Sequence, residues 1–166
     1  MLVVLDIDGT LADSSHRAHF LEQSPRDWVS FASPDLVIKD TPIPGSQRVV
    51  AKMQELRYHI VCLTARDEST RDVTMRWLFE KYNLDTDDTT LLMRPMGNML
   101  NLVEYKAQAM QTLLSEYKTR GENSFIFVED DSTVFETYAA EGLVLHAPGC
   151  WPLMFPTHVE PGDANV

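Results

Sequence analysis

The stretch Leu2-Val3-Val4-Leu5-Asp6-Ile7-Asp8-Gly9-Thr10 opens the chain with an apolar run that ends in two aspartates and a glycine. Four consecutive aliphatic residues without polar alternation read as a strand buried on both faces, the pattern of a parallel sheet. Successive strand side chains alternate, so Ile7 turns away while Asp6 and Asp8 project from the strand end toward one place. Two carboxylates so close repel each other, and a cation between them removes that cost. Oxygen ligands of this kind suit Mg²⁺ and not zinc. The same letters also spell a polar turn ending a strand, so the reading depends on what the rest of the chain brings to the spot.

Working outward, four more short apolar runs follow: His59-Ile60-Val61-Cys62-Leu63, Leu91-Leu92-Met93, Phe125-Ile126-Phe127-Val128 and Leu143-Val144-Leu145. Between them lie segments of helical period. Residues 46–57 align Val49, Val50, Met53 and Leu56, and residues 67–81 carry Val73, Trp77 and Leu78, with Tyr82 just beyond. Residues 101–118 carry Val103, Ala107, Met110, Leu113 and Leu114, and 133–140 carry Val134, Phe135 and Tyr138 before Gly142. Strands alternating with helices predict an open, right-handed α/β sheet with its ligand site at the carboxyl ends of the strands. Residues 13–45 break the rhythm: a helical patch at 16–22, then Trp28 and Phe31 among Pro25, Pro34, Pro42 and Pro44. That is too long for an ordinary βα loop and predicts a small helical cap insert after the first strand. The whole of 1–166 reads as one domain, with 149–166 an irregular tail pinned by Trp151 and Phe155.

Composition agrees with one ordinary globular unit. The chain has 166 residues, 44% hydrophobic and 23% charged, with 25 Asp and Glu against 14 Lys and Arg for a net charge of −11. That balance excludes a protein gripping long nucleic acid by its phosphates, which needs a basic face. Two cysteines, Cys62 and Cys150, cannot make a disulfide framework or a four-thiolate zinc site. The first residues lack a basic segment before the apolar run, and no run approaches the roughly 18 residues of a membrane span. The expectation is a cytoplasmic protein with no membrane association and no obligate protein partner.

Each further strand end carries chemistry. Thr64-Ala65-Arg66 follows the second strand and offers a hydroxyl, backbone N–H groups at a helix start and a guanidinium, an anion site. Lys106 lies on the helix after the third strand, and Glu129-Asp130-Asp131 follows the fourth. Carboxylate, hydroxyl, cation and carboxylate at one sheet edge converge on phosphoryl transfer with Mg²⁺, where positioning and charge neutralisation do most of the work.

Asp6-Ile7-Asp8-Gly9-Thr10, Thr64, Lys106 and Glu129-Asp130 resemble, in order, the four motifs of the haloacid dehalogenase superfamily. The resemblance implies a three-layer, Rossmann-like parallel α/β fold. It implies Asp6 as the nucleophile that takes phosphate as an aspartyl-phosphate, and Asp8 as the acid that protonates the leaving oxygen and then activates water. Thr64 and Lys106 would hold the phosphoryl oxygens; Asp6, the Asp8 carbonyl and Asp130 would bind Mg²⁺. An acid two residues after the nucleophile fits a phosphatase better than a dehalogenase, because a leaving alkoxide needs a proton. Residues 6–17, Thr64-Ala65-Arg66, Leu92-Met93-Arg94-Pro95 and Glu129-Asp130 are also similar to the 3′-phosphatase domain of bacteriophage polynucleotide kinase-phosphatases. On that likeness Arg17, Arg66 and Arg94 serve the substrate, a 3′-phosphorylated nucleic-acid end or nucleotide. No GxxxxGK[ST] phosphate loop occurs in these residues. The family often has an aspartate four residues before the lysine; here that position is Leu102, with Asn101 and Glu104 nearby.

Two other functions stay open on the sequence. One is a 5′-nucleotidase or small-molecule acid phosphatase, which the acidic balance suits; the other is a non-catalytic module that binds nucleic-acid ends or nucleotides on the same fold. His16 reads as a phosphate contact or a surface residue. Trp28 and Phe31 read as a base-stacking pair or as the core of the insert, and Cys62 as a buried apolar residue.

Overall fold

A computed structural model describes residues 1–87 and 89–155. Its strands are β1 (Leu2–Leu5), β2 (Ala12–Asp13), β3 (Thr41–Pro42), β4 (His59–Asp67), β5 (Thr89–Arg94), β6 (Phe125–Glu129) and β7 (Leu143–His146). The α-helices are α1 (Trp28–Phe31), α2 (Pro34–Val37), α3 (Ser46–Glu55), α4 (Arg71–Tyr82), α5 (Leu102–Thr119) and α6 (Phe135–Ala139). Five strands form one parallel sheet in the order β5-β4-β1-β6-β7. The chain runs outward from β1 on one side and then crosses to the other. The strand order therefore reverses at β1, where open α/β sheets hold their ligands beyond the carboxyl ends.

Strict alternation within the strands builds a core on each face. Val3, Leu5, Ile60, Cys62 and Val128 meet α3 and α4 through Val49, Val50, Met53, Trp77 and Leu78. Leu2, Val4, Val61, Leu63, Phe125 and Phe127 meet α5 and the α6 region through Met110, Leu113, Leu114, Val134 and Tyr138. Burying such side chains contributes about 1.5–3 kcal/mol each, which is why the apolar runs are uninterrupted. Cys62 is fully buried, and burial pushes its thiol up to about 12.

Differences from the sequence reading are local. The second strand continues past Leu63 to Asp67, with a register shift against β5 between those residues. Thr64-Ala65-Arg66 thus lies inside β4 and not at a helix start; a 3₁₀ turn, Glu68–Thr70, intervenes before α4. The helix expected at 133–140 is likewise a 3₁₀ turn, Ser132–Val134, followed by α6. The patch at 16–22 is a 3₁₀ helix, Ser15–Phe20. The rest of 13–45 holds α1 and α2, and β3 pairs antiparallel with β2 to close the segment. Beyond β7 the chain makes turns in which Trp151 is fully buried; the tail reading at 156–166 lies outside the described residues. No helix among the described residues is long and apolar enough to cross a membrane.

Candidate active site

Asp6 sits one residue past β1, its N–H donating to the Val128 carbonyl at 3.0 Å, so neighbouring strands hold it in register. The chain then turns sharply: Leu11 and Ala12 N–H groups both donate to Ile7 O, at 2.8 and 2.7 Å. Buried groups brace this turn from outside. The Tyr82 hydroxyl donates to Leu11 O at 2.6 Å and Trp151 Nε1 to Thr10 O at 3.1 Å. Gly9 has φ +84°, and a Cβ there would lie 2.1 Å from Asp130 Oδ2. Glycine is thus needed both for the left-handed backbone and for room beside Asp130.

Two ion clusters meet at this strand end. In the first, Lys106 Nζ donates to Asp6 Oδ1 at 2.9 Å and to Glu129 Oε2 at 2.5 Å, with all three side chains buried. Burial alone would lower the lysine pKa, but the charges of Asp6 and Glu129 outweigh it and hold Lys106 protonated. Burial raises the pKa of Asp6 despite Lys106, with Asp8 and Asp130 adding repulsion. Burial and the neighbouring Asp6 likewise raise Glu129. One ammonium does not balance these carboxylates.

The second cluster holds Asp8 from two sides. Arg66 binds it in a fork, Nε to Oδ2 and Nη2 to Oδ1, both at 2.8 Å, while Arg17 Nη2 reaches Oδ1 at 2.7 Å. Behind both guanidiniums lies Asp40, fully buried, accepting from Arg17 Nε at 2.8 Å and from Arg17 Nη2 and Arg66 Nη2 at 2.7 Å each. Burial works against the Asp8 carboxylate, but Arg66 and then Arg17 more than offset it and hold its pKa below the usual range. The buried Thr64 is tied locally, Arg66 N–H donating to Thr64 Oγ1 at 3.2 Å.

Asp6, Asp8, Thr64, Arg17, Arg66, Lys106 and Asp130 therefore gather at one sheet edge, and Thr10 Oγ1 lies 3.5 Å from Asp130 Oδ1. Arg94 does not join either cluster. It ends β5, its guanidinium stands 5.1 Å from the Tyr105 ring, and its buried Nε has no partner among the described residues. His16 turns to Asp40, at 3.0 Å. Asn101 and Glu104, the neighbours of the missing aspartate, are committed to a capping box: Glu104 N–H donates to Asn101 Oδ1 at 3.0 Å and Asn101 N–H to Glu104 Oε2 at 3.1 Å. Lys106 is oriented instead by Glu129.

Asp40 carries no signal in the sequence, being one acidic residue among several in an irregular segment. The need for it was visible only indirectly: two arginines converging on one aspartate call for a second buried anion. As to a metal, Asp6, Glu129 and Asp130 each offer a carboxylate oxygen within 4.8 Å of one another. One Glu129 oxygen already serves Lys106. An all-oxygen set with unbalanced negative charge fits a hard divalent cation such as Mg²⁺.

Relatives share this fold. No curated protein matches the chain by sequence. Among solved structures, the fold is shared with a chain of a Pnkp1/Rnl/Hen1 complex, at TM-score 0.63 and 20% identity, over 87% of this chain and 44% of that one. The present chain thus spans under half of that relative. It is shared too with a phosphoserine phosphatase in a phospho-aspartyl intermediate analogue, at TM-score 0.55 and 16% identity, over 87% and 85% of the two chains. A third is the D,D-heptose 1,7-bisphosphate phosphatase of B. bronchiseptica, complexed with magnesium and phosphate, at TM-score 0.54 and 16% identity, over 86% and 78%. The family model for the polynucleotide kinase PNKP phosphatase domain matches residues 1–144. With the match spanning every residue of both ion clusters, the chain belongs to the PNKP phosphatase-domain family of the haloacid dehalogenase fold, and it is a phosphatase.

Proposed function

We propose that this protein is a Mg²⁺-dependent phosphomonoesterase that removes 3′-phosphate from nucleic-acid ends or nucleotides through a phosphoryl group carried on Asp6. The observation that carries the reading is the buried contact of Lys106 with Asp6 beside the arginine-clamped Asp8. Asp6 Oδ1 is pinned by the lysine, so the carboxylate is aimed and cannot rotate away from an incoming phosphorus. Attack forms the Asp6–O–P bond and breaks the bond to the leaving oxygen, which takes a proton from Asp8. Asp8 then accepts a proton from the water that cleaves the acyl phosphate, returning Asp6 to a carboxylate.

Lys106 and Thr64 hold phosphoryl oxygens, and Lys106 offsets the like charge of nucleophile and ester. Asp8 begins as a carboxylate with both oxygens taken by Arg66 and Arg17. A phosphate dianion competes for the same guanidiniums, so substrate binding frees Asp8, which takes up a proton from solvent and passes it to the leaving oxygen. Asp6, Asp130 and the Asp8 carbonyl would hold Mg²⁺, which supplies the positive charge that a carboxylate attacking a dianion requires. Residues 13–45 act as a small cap, contributing Arg17 and Asp40, and Arg94 serves the substrate from the β5 end.

The 3′-end assignment is supported by the family match and by Arg17 and Arg66 meeting at Asp8. The net charge of −11 favours a mononucleotide over a long polyanion, which keeps a 5′-nucleotidase as the second reading. One panel decides: a 3′-phosphate oligonucleotide, a 5′-phosphate oligonucleotide and 3′- and 5′-mononucleotides, with Mg²⁺ and with EDTA. The proposal expects phosphate release from 3′-esters, abolished by EDTA. Preference for 5′-mononucleotides would overturn the 3′ assignment.

A further inference from the structure

The three tryptophans have unequal surroundings. Trp77 and Trp151 are fully buried, and each indole N–H donates to a carbonyl of the site, Asp40 O at 2.7 Å and Thr10 O at 3.1 Å. Trp28 is 56% exposed. It stands on α1, a helix of four residues capped by Asp27, whose carboxylate accepts from Ser30 N–H at 3.0 Å.

The two aromatic residues of α1 have separate surroundings. Phe31 faces the catalytic cluster: the Arg17 guanidinium lies 4.1 Å above its ring, and Arg17 Nη1 donates to its carbonyl at 2.9 Å. Trp28 meets Phe31 edge-on, with centroids 6.1 Å apart and planes at 88°. A continuous series of contacts thus runs from the exposed indole through Phe31 and Arg17 to Asp8, the last link being 2.7 Å. The Arg26 guanidinium carbon lies 6.0 Å from the Trp28 ring, placing positive charge beside the indole.

We propose that Trp28 is a base subsite: its indole is the platform on which the nucleobase of the phosphorylated nucleotide stacks while the phosphate lies at Asp6. This rests on the reading of the substrate as a nucleotide ester. A rigid aromatic ring accepts any base through its π-face, without sequence preference. The edge contact with Phe31 fixes the indole before substrate arrives, so little conformational freedom is lost on binding. Arg26 matches the charge of the adjoining phosphodiester. The remainder of the insert then has a division of labour, Arg17 and Asp40 ordering the acid and Trp28 choosing esters that carry a base.

The test compares wild type, Trp28→Ala and Trp28→Phe on two matched pairs. One pair is a 3′-phosphorylated oligonucleotide and the same strand with an abasic terminal nucleotide; the other is a 5′-mononucleotide and ribose 5-phosphate. Trp28→Ala is expected to raise KM for the base-bearing ester on the order of tenfold, with kcat unchanged, and to leave the base-free ester unaffected. Trp28→Phe should recover most of the loss. Equal KM for base-bearing and base-free esters in wild type, or an equal loss on both in Trp28→Ala, would overturn the subsite. Turnover confined to the 5′ pair would overturn the 3′ assignment, while that pair still reads the role of Trp28.

Discussion

The cluster Asp6–Lys106–Glu129 and the cluster Asp8–Arg17–Arg66–Asp40 lie two residues apart on the same chain but rest on different foundations. Asp6 and Glu129 sit at the ends of β1 and β6, adjacent parallel strands, and Lys106 rises from α5, whose start is set by its capping box. Every partner there is placed by regular structure. In the second cluster only Arg66 lies in the sheet; Asp8 stands at the turn after β1, and Arg17 and Asp40 come from the irregular segment 13–45. On the proposed mechanism the sheet-built cluster faces the reacting atoms, whereas the insert-built one governs the proton donor and its access. Regular elements would then supply what the chemistry needs, and the insert what a particular ester needs.

Substitutions should separate the two. Asp6→Asn removes the proposed nucleophile and is expected to lower kcat by roughly 10³-fold or more on every phosphate ester, measured by phosphate release. Lys106→Ala is next, with a loss of about 10²–10³-fold. It also leaves Asp6 and Glu129 buried without their cation, so denaturant melts should show a loss of about 3–5 kcal/mol.

Asp40→Asn tests the insert side. The side chain keeps its shape and loses its charge, leaving two buried guanidiniums that share Asp8 alone. Activity should fall about 10–100-fold, with the larger change in KM, since the arginines are mispositioned while Asp6 and Lys106 are untouched. A loss in kcat as deep as that of Lys106→Ala would mean the clusters are one unit. Asn101→Ala gives the smallest effect: about 1 kcal/mol of stability through the lost cap, with turnover nearly unchanged.

The same contrast explains what could be read from sequence. Continuous apolar runs marked all five strands of the sheet. In the central strands β4, β1 and β6 they do so because burial on both faces excludes polar residues, and the chemistry directly follows those three runs, whereas the edge strand β7 leaves Leu143 exposed. Thr64-Ala65-Arg66 reads from sequence as a helix start but lies in a strand, because pairing with β5 resumes at Asp67 beyond a register shift, which no periodicity encodes. Asp40 was invisible because its role depends on a long-range approach to Arg66, across 26 positions, through a segment without period. The missing aspartate before Lys106 had its answer in Glu129, which sequence placed at the right edge but could not aim.

The central claim is that phosphate passes through Asp6. Acid-quenched reactions of wild type with a 3′-phosphate oligonucleotide labelled in that phosphate, followed by proteolysis and mass analysis, test it most directly. The expected result is a labelled, hydroxylamine-sensitive phosphoryl group on the peptide containing Asp6, absent from Asp6→Asn. Label on a peptide lacking Asp6, or undiminished turnover by Asp6→Asn, would contradict it.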